Sequence, residues 1–550
     1  MISGLFILSL LSGFSGAILS RERYARFVSF LIATISLALL YNLFQNMQDG
    51  FAQPAIWSLL DYKQIHINLN LSSNAHNYSV LFPFLIMTFL SLLYTYFVPK
   101  EERRGRLSSL MLVSSAFLML PICSDNFVVL VVGSSLCGIS GIYIINDFSG
   151  KKNYVFYTLV ADMSLFAAMG IIYSSTSNTD LDTLSYYAQT NQHTELTSLL
   201  LLLGIGIKSG LFLFHNQIFS YANLKFNRLI FMNYCVAPAC GLIIFSKTAV
   251  LLSPNHIGGS ILLILSFCSI LYGVIGGLIY DNLKEKALCL NMLLWGFFFA
   301  VSILFPIINF SIFSWIFVLF FLINLWIAMV SQSCSEEIYI SRLGGTWKKL
   351  PQLLLIAPIL TVALSQQILT QVDSCGWLGW GLIVILLVII PYLMHQIFLG
   401  RCECDEMVWA FMHSPSLFLL FPLYALPLFL IFQYQFSWEL VIIFAIVILL
   451  TLINPLRVLS NLYERDDIQL SDFFERFYEV VLLAPLSILG RVLWLTVDFL
   501  LIERTILSSI LHFRNILINF SAQMHSCQLI GYLLTIGLGL GIILILGVIY

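Results

Sequence analysis

Two oppositely charged side chains stand inside apolar runs of this sequence, where ionisable groups are costly. Asp162 lies in Leu159-Val160-Ala161-Asp162-Met163-Ser164, and Lys208 in Gly204-Ile205-Gly206-Ile207-Lys208-Ser209-Gly210. A charge at the centre of a spanning helix costs roughly 2.5–3.5 kcal/mol on insertion scales, so each such residue is a candidate for function. A carboxylate and an amine on adjacent helices have two uses. They neutralise each other as a fixed pair, or they handle a proton, with pKa values set by burial and by the partner. Glycines around Lys208 suggest a broken or adaptable helix. His215 follows two turns later, Lys247 lies toward the end of the next apolar run, and His395 toward the end of a later one. The simpler reading of these three is a polar tip reaching the interface, with proton transfer as a secondary role.

No Gly-rich phosphate loop, His/Cys metal cluster or nucleophile arrangement appears, so no cofactor, bound metal or self-contained catalytic centre is expected. Of eleven cysteines, most lie in apolar runs, where Cys behaves as a small buried hydrophobe. Cys402 and Cys404 sit together in the polar run 401–406, but their spacing is not that of zinc ligands.

The elements that hold these residues follow from composition. The 550 residues are 59% hydrophobic and 10% charged, with a mean hydropathy of +0.94. A soluble domain carries roughly 25% charged residues. So few charges cannot clothe a water-facing surface, and a net charge of -2 points to no nucleic-acid partner. Spanning the hydrocarbon takes about 20 apolar residues. Such runs lie near 2–19, 27–46, 80–98, 107–123, 127–145, 154–174, 197–215, 229–251, 258–280, 287–309, 312–333, 351–372, 377–398, 409–432, 437–455 and 527–549. The expected fold is an all-α integral membrane protein of about sixteen transmembrane helices. The first run has no basic residue before it, so it reads as a retained helix rather than a cleaved signal.

Basic residues fall in alternate loops: Arg21 to Arg26, Lys100 to Arg106, Lys151 and Lys152, Lys225 and Arg228, Lys284 and Lys286, Arg342 to Lys349, and Arg401. The loops between hold Lys63 and, at the edge of a run, Lys247, and otherwise acids such as Asp49, Asp61, Asp180, Asp182 and Glu195. The positive-inside rule then makes the basic loops cytoplasmic and places both termini outside. Ile65, Ile67, Leu69 and Leu71 alternate with polar residues, a period of two that predicts a short outer β-hairpin strand. From 471 to 525, Arg491, Asp498, Ser508, His512, Asn515, Asn519 and Gln523 recur at roughly helical spacing. That pattern predicts a long lateral amphipathic helix before the last span. It serves either as a surface anchor or as a brace against partner subunits.

At these residues the chain resembles the antiporter-like membrane subunits of respiratory NADH-quinone oxidoreductase (complex I), a group shared with multisubunit cation/proton antiporters. Within it the closest likeness is to the distal subunit, chain L or subunit 5. The likeness is collinear. It runs through Ser124-Asp125-Asn126-Phe127-Val128-Val129-Leu130 with Gly133, Asp162, Ile207-Lys208-Ser209, and Asp281-Asn282-Leu283-Lys284 with Ala287 and Gly296. It continues through Gly344-Gly345, Lys348-Lys349-Leu350-Pro351, the stretch Phe474 to Asp498, and Ile502-Glu503. The resemblance implies an organisation of 1–123 as helices one to four with the hairpin, 124–372 as an antiporter-like core, and 373–456 as helices thirteen to fifteen. The lateral helix then occupies 457–526 and the closing helix 527–550.

The same resemblance makes Lys208 a central proton carrier and Asp162 its acidic partner. It also marks departures. The family's helix-five glutamate aligns with Ser135, its helix-eight histidine falls at Met232 and Asn233, and its helix-eleven lysine aligns with Asn324. Waters held by Ser135, Asn233 and Asn324 would relay protons, but a hydroxyl or an amide cannot store one at neutral pH. What is implied is a subunit of an energy-transducing inner (cytoplasmic) membrane. Its partners would be other membrane subunits, the lipid bilayer and protons or monovalent cations, and it would hold no flavin, iron–sulfur cluster or quinone. Two rivals remain: a subunit of a cation/proton antiporter or of a proton-coupled inorganic-carbon uptake system, and a degenerate structural paralogue.

Overall fold

In the computed structural model the chain divides into two units, Met1–Asp467 and Ile468–Tyr550. The structure describes residues 55–62, 65–71 and most of 75–433, with a few isolated positions on either side, all within the first unit. The expected spans at 2–19, 27–46, 437–455 and 527–549 lie wholly or almost wholly outside the described residues. So do the lateral helix at 471–525, the pair Cys402 and Cys404, and Lys348 and Lys349.

The chain enters through a hairpin, β1 (Ala55–Tyr62) and β2 (Ile65–Leu71), paired antiparallel from Ala55 with Leu71 to Tyr62 with Ile65. The register slips between Ser58 and Leu60, where one extra residue bulges. Helices follow: α1 (Ala75–Phe97), α2 (Arg104–Cys123), α3 (Phe127–Ile144), α4 (Phe148–Thr176), the short α5 (Thr183–Thr190), and α6 (Thr194–Ser209). Then come a single turn α7 (Asn216–Phe219), α8 (Phe226–Cys235), α9 (Ala237–Thr248), α10 (Ile257–Ile279), α11 (Leu283–Leu304) and α12 (Phe310–Ser333). The described part ends with α13 (Pro351–Leu369), α14 (Val372–Met394), a π turn at His395–Leu399, and α15 (Leu417–Gln433). Ten spans among the described residues are long and apolar enough to cross a membrane.

Burial sorts these helices into centre and rim. The apolar stretch of α12 is 94% buried and that of α4 only 33%, so α12 is central and α4 peripheral. On α4, Phe156, Leu159, Val160 and Met163 are exposed while Ala161, Asp162 and Leu165 are buried, so its two faces differ as those of a rim helix must.

Two helix starts are built alike. Asn126 caps α3, its side chain accepting from Val128 N at 2.8 Å, and Asn282 caps α11, accepting from Lys284 N at 2.9 Å. Each cap satisfies a backbone N–H that the first turn would otherwise leave unpaired. Around each, the chain pairs with a distant extended segment. Phe127 N donates to Thr179 O and Leu181 N to Asp125 O; Leu283 N donates to Ile338 O and Ile340 N to Asp281 O. The Asp-Asn pairs at 125–126 and 281–282 therefore anchor two segments of the same local construction.

Several boundaries depart from the sequence reading. The seventh run, taken as 197–215, is helical only to Ser209. The eighth, taken as one helix, is interrupted at Val236, where φ is -122° and ψ is -111°, a backbone outside the helical basin. Arg104, Arg106, Lys151, Lys152, Arg228, Lys284 and Lys286, expected in loops, lie inside helices, because a capping asparagine or a lengthened first turn carries helix into the polar flank.

Candidate functional site

Lys208 sits in the last turn of α6, and the way that helix ends positions it. Gly210 N donates to Ile207 O at 3.0 Å and Leu211 N to Gly206 O at 3.1 Å, the double closure of a Schellman motif. The motif needs a left-handed residue, and Gly210 supplies it at φ 62°. A Cβ at Gly210 would stand 2.2 Å from Ile218 Cδ1, so the site also lacks room for a side chain. Beyond it the chain is unwound, with Leu213 at φ 78° and Phe212 N held by Ser269 Oγ of α10 at 2.8 Å.

The amine that this break presents is 1% exposed. Its Nζ lies 2.7 Å from Asp162 Oδ1 on α4 and donates to Ser134 O on α3 at 3.3 Å. The structure thus brings Asp162 and Lys208 together as a buried ion pair. Low local dielectric makes their attraction strong and makes either partner alone expensive. The negative end of the α6 dipole adds to the field that favours the ammonium. Such an arrangement can hold a proton between an amine and a carboxylate.

The secondary candidates separate from this pair. His215 is half-buried in the unwound segment, stacked on Phe212 at 5.9 Å and packed against Tyr272 at 4.9 Å. Lys247 donates to Ser124 O, just past the end of α2, and so clamps a helix end. His395 is the first residue of the π turn. The relay candidates diverge as well. The Ser135 hydroxyl donates to Val131 O of its own helix at 3.0 Å. Asn233 is wholly buried with neither amide atom paired. Asn324 belongs to a separate cluster, where its Nδ2 donates to Tyr234 Oη at 2.6 Å and to Asn291 Oδ1 at 3.0 Å, and Tyr234 also donates to Asn291.

Sequence reasoning missed Tyr234 and Asn291, whose signal was a lone polar side chain within an apolar run. It also missed Gln367, which follows the second anchor at Ile338 by the same interval as Lys208 follows the first at Thr179. Gln367 is 1% exposed and both of its amide atoms are unpaired. The second segment thus carries a neutral amide where the first carries an amine.

Among the described residues, ten spans long and apolar enough to cross a membrane accompany a buried ion pair at a broken helix. Residues 124–367 match the family described as "NADH:quinone oxidoreductase/Mrp antiporter, TM", and both anchors, Asp162 and Lys208 fall inside that match. That match covers rather less than half of the chain, and over it the chain is similar to the transmembrane subunits the family describes. No curated protein sequence matches it.

Solved structures agree on the fold. A chain of the membrane-bound sulfane sulfur reductase (MBS), an archaeal respiratory membrane complex, is 14% identical with a TM-score of 0.63, covering 98% of this chain and 99% of that one. A chain of the Mrp complex from Dietzia sp. DQ12-45-1b is 14% identical with a TM-score of 0.66, covering 93% of this chain and 62% of that longer one. A chain of respiratory complex I from Thermus thermophilus is 14% identical with a TM-score of 0.55, covering 83% and 97%.

Proposed function

We propose that this chain is a subunit of a complex I-like or antiporter-like membrane assembly and takes part in proton translocation through Lys208 and Asp162. The observation that carries this reading is the ion pair itself, two opposite charges 2.7 Å apart within apolar helices at a helix break. A buried pair seldom earns its place by stability alone, since an apolar substitute often serves as well. In the complex I assignment, redox energy released in other subunits drives the pair, and this chain itself performs no redox step. The likenesses to multi-subunit assemblies support membrane partners in an energy-transducing membrane. They fit a distal oxidoreductase subunit and a cation/proton antiporter subunit alike. Tagged purification from the native membrane, with the co-purifying subunits identified, separates the two. Oxidoreductase subunits support the first assignment, and antiporter or carbonic-anhydrase-like partners replace it with the second.

A structural role has one specific observation in its favour, the neutral second segment with Asn324 and Gln367. Proton flux through the reconstituted assembly decides this. Full flux with Lys208→Ala removes the carrier role and leaves the structural one.

A further inference from the structure

We propose that Lys286, with Gln396 and Tyr392, forms a second proton-binding site in this chain, at the N-terminal end of α11. The amine is 1% exposed in the first turn of that helix. Its Nζ donates to Gln396 Oε1 at 3.0 Å and lies 5.4 Å from the centre of the Tyr392 ring. Gln396 Nε2 in turn donates to Tyr392 Oη at 2.8 Å. The π turn at His395–Leu399 presents Gln396, and Thr346 Oγ1 holds that turn through Ile397 O at 2.8 Å. Such turns disrupt regular helix and recur at functional sites.

Lys286 differs from the other buried cations in what surrounds it. Lys208 lies at the C-terminal end of its own helix, Arg228 donates to Ile144 O at the end of α3 at 3.0 Å, and Lys247 binds next to the end of α2. Helix C-termini favour cations. Lys286 lies instead at a helix N-terminus, and its direct partners are an amide and a phenol ring. The titratable groups near it are Asp281, Glu285 and Cys289 on its own segment, with Tyr392 facing it and His395 beside Gln396 in sequence. At Lys286, the Nζ proton leaves to water, the lone pair stays on nitrogen, and an uncharged trio remains.

A cleft of about 100 Å³ lies at the same helix end, lined by Lys225, Asn227, Lys284, Gln332 and Glu336, and Lys286 is not part of its lining. Glu336 brings an acid to that cleft.

This inference deepens the ion-transfer reading and rests on it for its role, but the site is measurable without transport. The full chain, with isotope-labelled lysine and placed in lipid bilayers, is followed by solid-state NMR of the side-chain nitrogens across neutral to alkaline pH. The expected result is one buried nitrogen that passes from ammonium to amine apart from the surface lysines. It should be absent in Lys286→Gln, displaced in Gln396→Leu and retained in Lys208→Arg. A Lys286 nitrogen that titrates only with the surface lysines overturns the site. Flux lost in Lys208→Ala but full in Lys286→Gln overturns its part in transfer and leaves the proposed function standing. Full flux in both variants overturns the proposed function itself.

Discussion

Asp162 and Lys208 meet at 2.7 Å although one lies on a rim helix and the other in the last turn of a helix that ends in a glycine. Both side chains are buried among apolar helices. Each is therefore tolerated because the other is present.

Removing one partner should cost more than removing both. Truncating one side of a buried pair costs about 3–5 kcal/mol because the remaining charge is uncompensated. Lys208→Ala and Asp162→Ala should each lower thermal stability in detergent, and the double variant should recover much of the loss. Additive losses in that cycle would show that the pair does not act as a unit.

The chemistry of Lys208 has its own test. Arginine keeps a positive charge for Asp162 but stays protonated at any accessible pH. Lys208→Arg should preserve assembly and abolish proton flux if the amine carries the proton. Normal flux with arginine would restrict Lys208 to charge balance.

The helix break should depend on Gly210. An L-residue forced into the left-handed region pays about 1–2 kcal/mol, and here Ile218 also blocks the Cβ. Gly210→Ala should lower the melting temperature and disturb Lys208, with a larger effect on flux than on assembly. A wild-type melting temperature would mean that the turn accepts another closure.

The neutral cluster is a stability element. Asn324 donates to Tyr234 and Asn291, and all three are fully buried. Asn324→Leu removes two donated hydrogen bonds, each worth about 0.5–1.5 kcal/mol, while Tyr234 still donates to Asn291. Thermal unfolding reads this directly, and an unchanged midpoint would exclude the cluster as a structural contributor.

Outside the spans, Glu195 ties α6 to α10. Its Oε2 accepts from Ile257 N at 2.8 Å, and its Oε1 lies 3.1 Å from His256 Nδ1. The Ile257 N–H, and then His256, hold the Glu195 carboxyl below the usual carboxylate range. A carboxylate with a lowered folded-state pKa adds stability that is complete above its unfolded pKa and is lost as pH falls through the folded value. Glu195→Gln should therefore flatten the acid side of the stability profile and leave its alkaline side unchanged. An acid side as steep as that of the wild type would remove Glu195 from this role.

The sequence by itself determined which segments are apolar enough to span, because the cost of exposing backbone and charge to hydrocarbon is read along the chain residue by residue. It determined that Asp162 and Lys208 are exceptions, and the glycines around Lys208 suggested a break whose position, at Gly210, the structure supplied. Only the tertiary structure decided which partner each exception found. Lys247 and Arg228 turned to the backbone ends of neighbouring helices, Asn324 to an asparagine and a tyrosine, and Lys286 from an expected loop to a buried amide. Those outcomes depend on helix rotation and on contacts between residues far apart in sequence. Hydropathy averages over a helix, whereas a hydrogen bond depends on which face each side chain occupies and on a separation of about 3 Å.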